Sequence, residues 1–243
     1  MMRDDIFQLW VYLSASPLFA LTATLAAYVL AVAIARRLNF HPLANPVLLA
    51  VLFLSVGLLI TGEPYSEYFA GAQFVHFLLG PATVAFAIPL AAMWHRLHRM
   101  RLALVVGLLS GGAAASLSAV LVAWALGASR ETILALIPKS ITTPIAMGIT
   151  QAIGGPPSLT AVFCIVTGIF GAAAGPALFS RFGMQSRILR GFALGTAAHG
   201  IGTARAFQEH PEAGAFAGLA LGLHGTLAAI LIPIVVAAIT ALL

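Results

Sequence analysis

Charged side chains are scarce in this sequence: only 8% of its 243 residues are Asp, Glu, Lys or Arg. A soluble globular domain carries about 25% charged residues, so a chain that is also 61% hydrophobic is not expected to fold in water. A membrane-spanning helix needs roughly 20 apolar residues, and the chain is therefore long enough for at most about eight spans with short connections. We expect one polytopic membrane domain that covers residues 1–243.

Cysteine and the usual catalytic motifs are missing too. Cys164 is the single cysteine, so this chain alone can form neither a disulfide nor a multi-cysteine metal site. The sequence contains no Walker loop, no Ser-His-Asp constellation and no close carboxylate pair, which argues against an ATP-driven pump and against an enzyme. We therefore expect no catalytic residues, no metal site and no cofactor.

The net charge is positive, with 12 Lys and Arg against 7 Asp and Glu. In a soluble chain this balance would suggest a nucleic-acid partner, but here the basic residues form short tracts between apolar runs. These tracts lie at 36–37, 95–101 and 181–190, and acidic loops lie at 63–67 and 209–212. Lys and Arg are retained on the cytoplasmic side of a membrane. We therefore interpret the tracts as topology signals and expect no nucleic acid.

Eight apolar segments can be bracketed along the chain. They cover residues 17–35, 46–60, 69–93, 102–126, 132–153, 159–179, 191–204 and 213–243. If all eight crossed the bilayer, the basic tract 181–190 would lie outside, which reverses the positive-inside rule. One segment is therefore expected to enter and leave the membrane on the same side.

The segment 132–153 is the best candidate for this re-entrant element. Pro138 and Pro144 interrupt it, and backbone groups freed by proline must be satisfied within protein or in a wet cavity. When this segment is re-entrant, the charges are consistent with seven crossings, an N-terminus outside and a C-terminus in the cytoplasm.

A short internal repeat suggests a transporter-like architecture, because residues 77–83 resemble residues 192–198. Units from about 45 to 100 and from about 157 to 212 would have opposite orientations, as in the inverted repeats of secondary transporters. The predicted fold is an all-α integral membrane protein with about seven transmembrane helices, a re-entrant broken segment and an inverted repeat. The predicted helix-breaking residues are Gly80, Pro81, Pro138, Pro144, Gly195, Gly200 and Gly202.

Lys139 is the sharpest candidate for a substrate-binding residue. A cation inside an apolar segment costs several kcal/mol unless it is paired or hydrated. One interpretation is an anion site, in which the hydroxyls of Ser140, Thr142 and Thr143 and free N–H groups at the broken helix end add hydrogen bonds. The alternative is an interfacial lysine that extends its ammonium group to lipid headgroups.

The stretch 195–205 is the second candidate, since it combines small residues with an imidazole and a guanidinium. His199 could exchange a proton near neutral pH, Arg205 could bind a carboxylate through two parallel hydrogen bonds, and Thr196 could orient the ligand. A hydrogen-bonded packing role is the alternative for His199. Arg205 could instead be a topology charge near the acidic loop.

Two more hydroxyl residues follow predicted breaks in the chain. Ser158 begins a helix after a Gly-Gly-Pro-Pro turn, where it could face an anion or simply cap the helix. Thr83 follows the break at Gly80 and Pro81, for which a simple kink is the alternative. His76 and His224 each lie alone on an apolar helix, and we expect both to be structural.

Several of these motifs resemble one known family. Residues 138–146 (Pro-Lys-Ser-Ile-Thr-Thr-Pro-Ile-Ala), the pair Gly154-Gly155 and residues 193–206 closely resemble motifs of the LrgB/CidB family, and residues 79–85 look like its earlier motif. The similarity covers nearly the whole chain after the first helix.

The resemblance implies a bacterial inner-membrane protein with a small holin-like LrgA/CidA-type membrane partner. Family members are often named antiholin-like regulators of murein hydrolase export, plastid relatives are glycolate/glycerate transporters, and some bacterial relatives are linked to pyruvate movement. Our first hypothesis is therefore secondary transport of small monocarboxylates such as pyruvate, glycolate or lactate. The alternative is a non-transporting antiholin-like regulator of autolysis, and homo-oligomers are compatible with either.

Overall fold

Helices form the whole of the architecture that can be described. The computed structural model describes residues 17–38, 40, 44–78, 91 and 94–242. Within these residues the chain forms α-helices and no β-strand, as a chain in lipid requires, because a helix satisfies its own backbone hydrogen bonds. By its internal contacts the chain divides into two compact units, Met1–Ala85 and Phe86–Leu243. The predicted helix-breaking residues Gly80 and Pro81 lie outside the described residues.

The first unit contains three described helices, α1 (Pro17–Arg37), α2 (Pro46–Thr61) and α3 (Tyr65–Phe77). α1 packs against both of the others. The hydroxyl of Thr24 on α1 lies 2.7 Å from the hydroxyl of Tyr68 on α3, so a hydrogen bond joins these two helices inside an otherwise apolar unit.

The ends of α2 show how the sequence sets its bounds. The side chain of Asn45 accepts hydrogen bonds from the first backbone N–H groups, and Pro46 occupies the first turn, where no N–H is needed. Gly62 ends the helix in the left-handed conformation with φ of 70°, which glycine adopts without steric cost. These local signals set the first and last residues of α2.

The second unit contains seven described helices. They are α4 (Trp94–Arg99), α5 (Arg101–Ala125), α6 (Arg130–Leu136), α7 (Thr143–Ala152), α8 (Pro157–Arg181), α9 (Arg187–Glu209) and α10 (Pro211–Leu242). Of the helices in the described ranges, α1, α5, α8 and α10 are long and apolar enough to cross a membrane. The prediction of an all-α protein with several membrane-spanning helices is therefore confirmed for the described residues.

The helices α6 and α7 form a hairpin, which we call hairpin 1. The turn 137–142 separates them. The chain comes back to α6 just after α7, because a β-carbon at Gly155 would lie 2.9 Å from Leu134 Cβ of α6. Pro138 lies in the connecting turn, and Pro144 lies in the first turn of α7, where its missing N–H does no harm. We call residues 137–142 tip 1.

The helix α9 is also a hairpin, which we call hairpin 2. Ala198 (φ −126°, ψ 16°) and His199 (φ 42°, ψ −131°) leave the helical conformation. Arg190 Nη2 then lies 3.3 Å from Glu209 Oε2, although a straight helix would hold these residues roughly 28 Å apart at 1.5 Å per residue. The arms 187–197 and 200–209 therefore lie side by side and run antiparallel. We call residues 198–199 tip 2.

This geometry corrects the sequence-based prediction for residues 191–204. That prediction, a segment that crosses the bilayer, is wrong because the chain reverses at tip 2. The non-helical dihedrals fall at Ala198 and His199 rather than at Gly195, Gly200 or Gly202. Gly202 has a packing role instead, since a β-carbon there would overlap the carbonyl of Leu194 on the facing arm. Small residues allow such close approach of helices in lipid.

The two hairpins are connected to opposite ends of α8. α7 leads into the N-terminal end of α8 through a short loop, where Thr160 Oγ1 donates a 2.8 Å hydrogen bond to Thr150 Oγ1. Hairpin 2 follows the C-terminal end, and its first arm returns along α8, since a β-carbon at Gly171 would lie 2.6 Å from Ala198 Cβ. Hairpin 1 therefore opens at the start of α8 and hairpin 2 opens at its end.

α10 runs parallel to the first arm of hairpin 2. Gly191 lies against the backbone of Ala213, and Gly195 lies against the backbone of Ala217. A β-carbon on either glycine would overlap the carbonyl of its partner. The contact therefore joins two helix backbones directly, and it depends on the two glycines.

α5 runs parallel to the same arm on another side. A β-carbon at Gly107 would lie 3.1 Å from the ring of Phe192, and one at Gly111 would lie 3.4 Å from the methyl group of Thr196. α5 and this arm therefore begin at the same end of the unit. The basic residues before α5 and those between α8 and hairpin 2 consequently share that end.

Candidate functional site

The two tips meet on one turn of α8, at Cys164. The buried thiol of Cys164 lies 3.9 Å from the carbonyl oxygen of Pro138 in tip 1. His199 in tip 2 places its Nε2 2.9 Å from the carbonyl oxygen of the same cysteine, and as an N–H it donates to that oxygen. A cysteine that the sequence marks only as a residue in an apolar run therefore lies where both hairpins end.

Lys139 supplies positive charge beside this meeting point. It is half-buried in tip 1, and its Nζ donates to Ser140 Oγ at 3.3 Å. Within the described ranges no carboxylate lies in salt-bridge distance of this ammonium group. It is also the only lysine in the sequence, as all other basic residues except histidine are arginines. An intramembrane ammonium group with one neutral hydroxyl partner favours an anion beside it.

The start of α7 adds partial positive charge to the same region. Thr142 is the N-cap of this ten-residue helix, and its side chain makes no capping hydrogen bond. The second arm of hairpin 2 also begins at its tip, after His199. Both returning helices therefore point their N-terminal ends towards the centre, and such ends attract negative charge. Together with Lys139 they form an arrangement suited to a small anion.

Tip 2 is held firmly in place. The ring of His199 is 5% exposed and packs on Gly168 of α8, where a β-carbon would lie 2.8 Å from Nε2. Thr203 Oγ1 donates a 2.8 Å hydrogen bond to the His199 carbonyl oxygen, and Thr196 Oγ1 donates a 2.9 Å hydrogen bond to the Phe192 carbonyl oxygen. Both bonds join a threonine to the carbonyl four residues earlier in the chain, and they hold the two side chains against their own helices.

The predicted site residues fall into three groups. Tips 1 and 2 and the residues that flank them contain Lys139, Ser140, Thr142, Thr143, Thr196 and His199. Thr83 lies outside the described residues. The structure does not bring the remaining two to the tips: Ser158 is exposed in the first turn of α8, near the open end of hairpin 1, and Arg205 lies in the second arm of hairpin 2.

Arg205 is engaged near the open end of hairpin 2. Its Nε lies 3.7 Å from Glu209 Oε1, and the other carboxylate oxygen of Glu209 pairs with Arg190. Arg190 also stacks over the ring of Phe179 on α8, 5.4 Å from its centroid. One carboxylate thus joins arginines from both arms.

Three residues are prominent in the geometry but not in the sequence. Cys164 carries no local signal, because the partners that define it are 26 and 35 residues away. Glu209 was recognised only as part of an acidic loop. His224 was interpreted as structural, yet it is 6% exposed and its Nδ1 has no hydrogen-bond partner among the described residues.

Comparison with known proteins gives one consistent result. The model of the LrgB-like family matches residues 24–238. The chain is 33% identical to the Bacillus subtilis protein YxaC over 213 residues, 88% of this chain and 92% of the relative. It is 32% identical to the holin-like protein CidB of Staphylococcus epidermidis over 228 residues, 93% of this chain and 97% of the relative. No solved structure matches the chain.

The family match covers both hairpins, α8 and most of α10. The resemblance inferred from the motifs at 138–146 and 193–206 is thereby confirmed, and the motif residues are those that form the two tips and their flanks. The chain belongs to the LrgB-like family.

Proposed function

We propose that this chain is a secondary transporter of small monocarboxylates, such as pyruvate, glycolate or lactate, in the bacterial inner membrane. One observation carries the proposal: two hairpins that open at opposite ends of α8 meet at Cys164, beside the half-buried Lys139. Transporters commonly bind substrate where interrupted helices of two oppositely oriented units meet near the middle of the membrane.

In this proposal the charges and hydroxyl groups at the tips bind the substrate. Lys139 neutralises the carboxylate, and the N-terminal end of α7 adds hydrogen-bond donors. Ser140 and Thr142 orient the ligand from tip 1, Thr143 does so from the start of α7, and Thr196 does so from the first arm of hairpin 2. A site with one ammonium group and no carboxylate nearby suits one negative charge, which favours monocarboxylates over dicarboxylates.

Alternating access follows from the order of the elements. α5 and α8 each have 25 residues, and each is followed by a hairpin. We therefore place the two inverted units at residues 101–152 and 157–209, in place of the predicted units 45–100 and 157–212. Movement of hairpin 1 would open the site to one side of the membrane, and movement of hairpin 2 would open it to the other.

The same geometry changes the proposed topology. The basic tracts 95–101 and 181–190 flank α5 and hairpin 2, which begin at the same end of the second unit, and the positive-inside rule assigns that end to the cytoplasm. α10 starts at this end and finishes at the opposite one. We therefore propose six crossings, two re-entrant hairpins, an N-terminus outside as first expected, and a C-terminus outside instead of in the cytoplasm.

Uptake by proteoliposomes tests the transport proposal. Purified protein, with and without a small holin-like LrgA/CidA-type partner, is reconstituted and given labelled pyruvate, glycolate or lactate. We expect Lys139→Ala to lower uptake at least tenfold, because the carboxylate loses its counter-charge in a low-dielectric site. Arg130→Ala is the matched control, since it removes one positive charge at the exposed start of α6, and it should keep wild-type uptake.

Labelling of the single lysine gives a second measurement. An amine-selective reagent modifies Lys139 and the N-terminal amine only, so peptide mass spectrometry can follow Lys139 alone. A transported carboxylate should slow this modification, whereas acetamide, a neutral molecule of similar size, should not. If the protein is a non-transporting regulator, the proteoliposomes should take up no carboxylate with or without the partner, and the carboxylate should not protect Lys139 from modification.

A further inference from the structure

His224 lies near the middle of α10 and is buried, with 6% of its surface exposed. Its ring packs on Gly112 of α5, where a β-carbon would lie 2.7 Å from Nε2. Nδ1 is buried and forms no hydrogen bond with any residue that the structure describes. A buried polar atom without a partner is unfavourable, so this nitrogen is available for a proton or ligand that the described residues do not supply.

The turn of α10 that carries His224 touches both hairpins. On α5, Gly112 faces the imidazole ring, and its neighbour Gly111 faces the methyl group of Thr196 in hairpin 2. A β-carbon at the next residue, Gly225, would lie 3.1 Å from Ile145 Cδ1 at the start of α7. One turn further, Ala228 belongs to the buried cluster that includes Cys164. His224 therefore lies at the level of the two tips.

The two buried histidines of this region have different surroundings. His199 Nε2 forms a 2.9 Å hydrogen bond with the Cys164 carbonyl, and the backbone of His199 has a φ of 42°. His224 has an unpaired ring nitrogen and lies in a regular helix, so a proton can be added there without any change in the backbone.

We infer that His224 is the group that carries a proton together with the substrate. The inference rests on the proposed transport function and extends it to coupling. Neutral His224 takes a proton from water at Nδ1, forming one N–H bond, and the imidazolium then accompanies the bound carboxylate. The proton returns to water on the other side, so each cycle moves one anion and one proton with no net charge.

The groups around the ring suit this role. α5 presents Gly112 to the ring and Gly111 to the nearby Thr196 of hairpin 2, and α7 places Ile145 against the neighbouring Gly225. Across the described ranges, the other titratable side chains at the tips are Lys139, Cys164 and His199. Hairpin 2 carries Glu209 and α10 carries Glu212, but both carboxylates lie at the open end of hairpin 2, away from the tips. The substrate itself is therefore the anion that stabilises the charged ring.

The number of protons moved per substrate tests the inference. Proteoliposomes that contain a pH-sensitive dye take up labelled pyruvate, and proton and pyruvate entry are recorded together. Wild type should move about one proton per pyruvate. His224→Gln keeps hydrogen-bonding capacity but cannot be protonated, and its proton-to-pyruvate ratio should fall at least fivefold at whatever rate remains. His95→Gln, an exposed histidine of α4, should keep the wild-type ratio.

The outcomes separate this inference from the transport proposal. Pyruvate uptake by His224→Gln with an unchanged ratio would overturn the coupling role and leave transport intact. A wild type without any uptake would overturn both. His224→Asn provides a second substitution, and size-exclusion profiles check folding. If both variants aggregate, the residue is structural and the inference fails.

Discussion

Two glycines in the first arm of hairpin 2 bring its backbone against α10. A β-carbon on Gly195 would overlap the Ala217 carbonyl, and neither helix backbone can move without disturbing the neighbours. We expect Gly195→Ala to lower the free energy of unfolding by about 1–3 kcal/mol, the usual effect of overpacking. The thermal midpoint in detergent, measured by fluorescence, checks this prediction.

Gly222→Ala is the matched control for that measurement. Gly222 lies in the same pair of packed helices, on α10, but a β-carbon there meets no atom within 4 Å. Alanine also favours a helix over glycine by about 1 kcal/mol. The control should therefore leave the midpoint unchanged or raise it slightly, and equal losses in both variants would contradict the packing argument.

At the scale of the element, Glu209 holds the two arms of hairpin 2 together away from the tip. It pairs with Arg190 at 3.3 Å and with Arg205 at 3.7 Å. Glu209→Gln would leave two guanidinium groups without their counter-charge, and we expect the second arm to open more easily by about 1 kcal/mol. Amide hydrogen exchange in residues 200–209 should then be about five times faster.

Hydrogen exchange in hairpin 1 provides the internal reference for that experiment. Exchange in α7 should be unchanged, because hairpin 1 opens at the other end of α8. Glu131→Gln, an exposed carboxylate at the start of α6, removes the same charge without touching hairpin 2. Faster exchange in residues 200–209 of that variant would show that overall charge, not the shared carboxylate, sets the stability of the arm.

How far the sequence predicts these elements depends on how local their signals are. Pro138 and Pro144 break a helix wherever they occur, so hairpin 1 could be anticipated. Hairpin 2 reverses at Ala198 and His199 without a proline, although its arms are less apolar than the four helices that could cross a membrane. The point of reversal follows only from the ion pair between Arg190 and Glu209 and from the close packing of the arms, and both are tertiary contacts.

The candidate site shows the same division. Lys139 could be predicted, because the sequence alone shows an isolated charge within an apolar segment. The environments of Cys164 and His224 could not be predicted, because each depends on partners from other helices. An unpaired nitrogen in particular is a property of the packed structure and leaves no trace in the residue pattern.

At the scale of the whole molecule, the reversal at tip 2 determines where the chain ends. We expect the C-terminus outside the cytoplasm, because hairpin 2 returns to the end from which α10 departs. Alkaline phosphatase fused after Leu243 should be active, and green fluorescent protein at the same position should be dark. The same reporters inserted in the loop 182–186 should give the opposite pattern, and a fluorescent C-terminal fusion would contradict the proposed topology.

Cys164 gives the wild-type protein a built-in reporter. It is the only thiol in the sequence, it is buried, and it lies under both tips. A membrane-permeant maleimide can reach it only after a tip has lifted, so the alkylation rate of the unmodified protein measures how often the site is uncovered. A ligand that holds the tips closed slows this reaction, and one that lifts either tip accelerates it, with no engineered cysteine or spectroscopic label required.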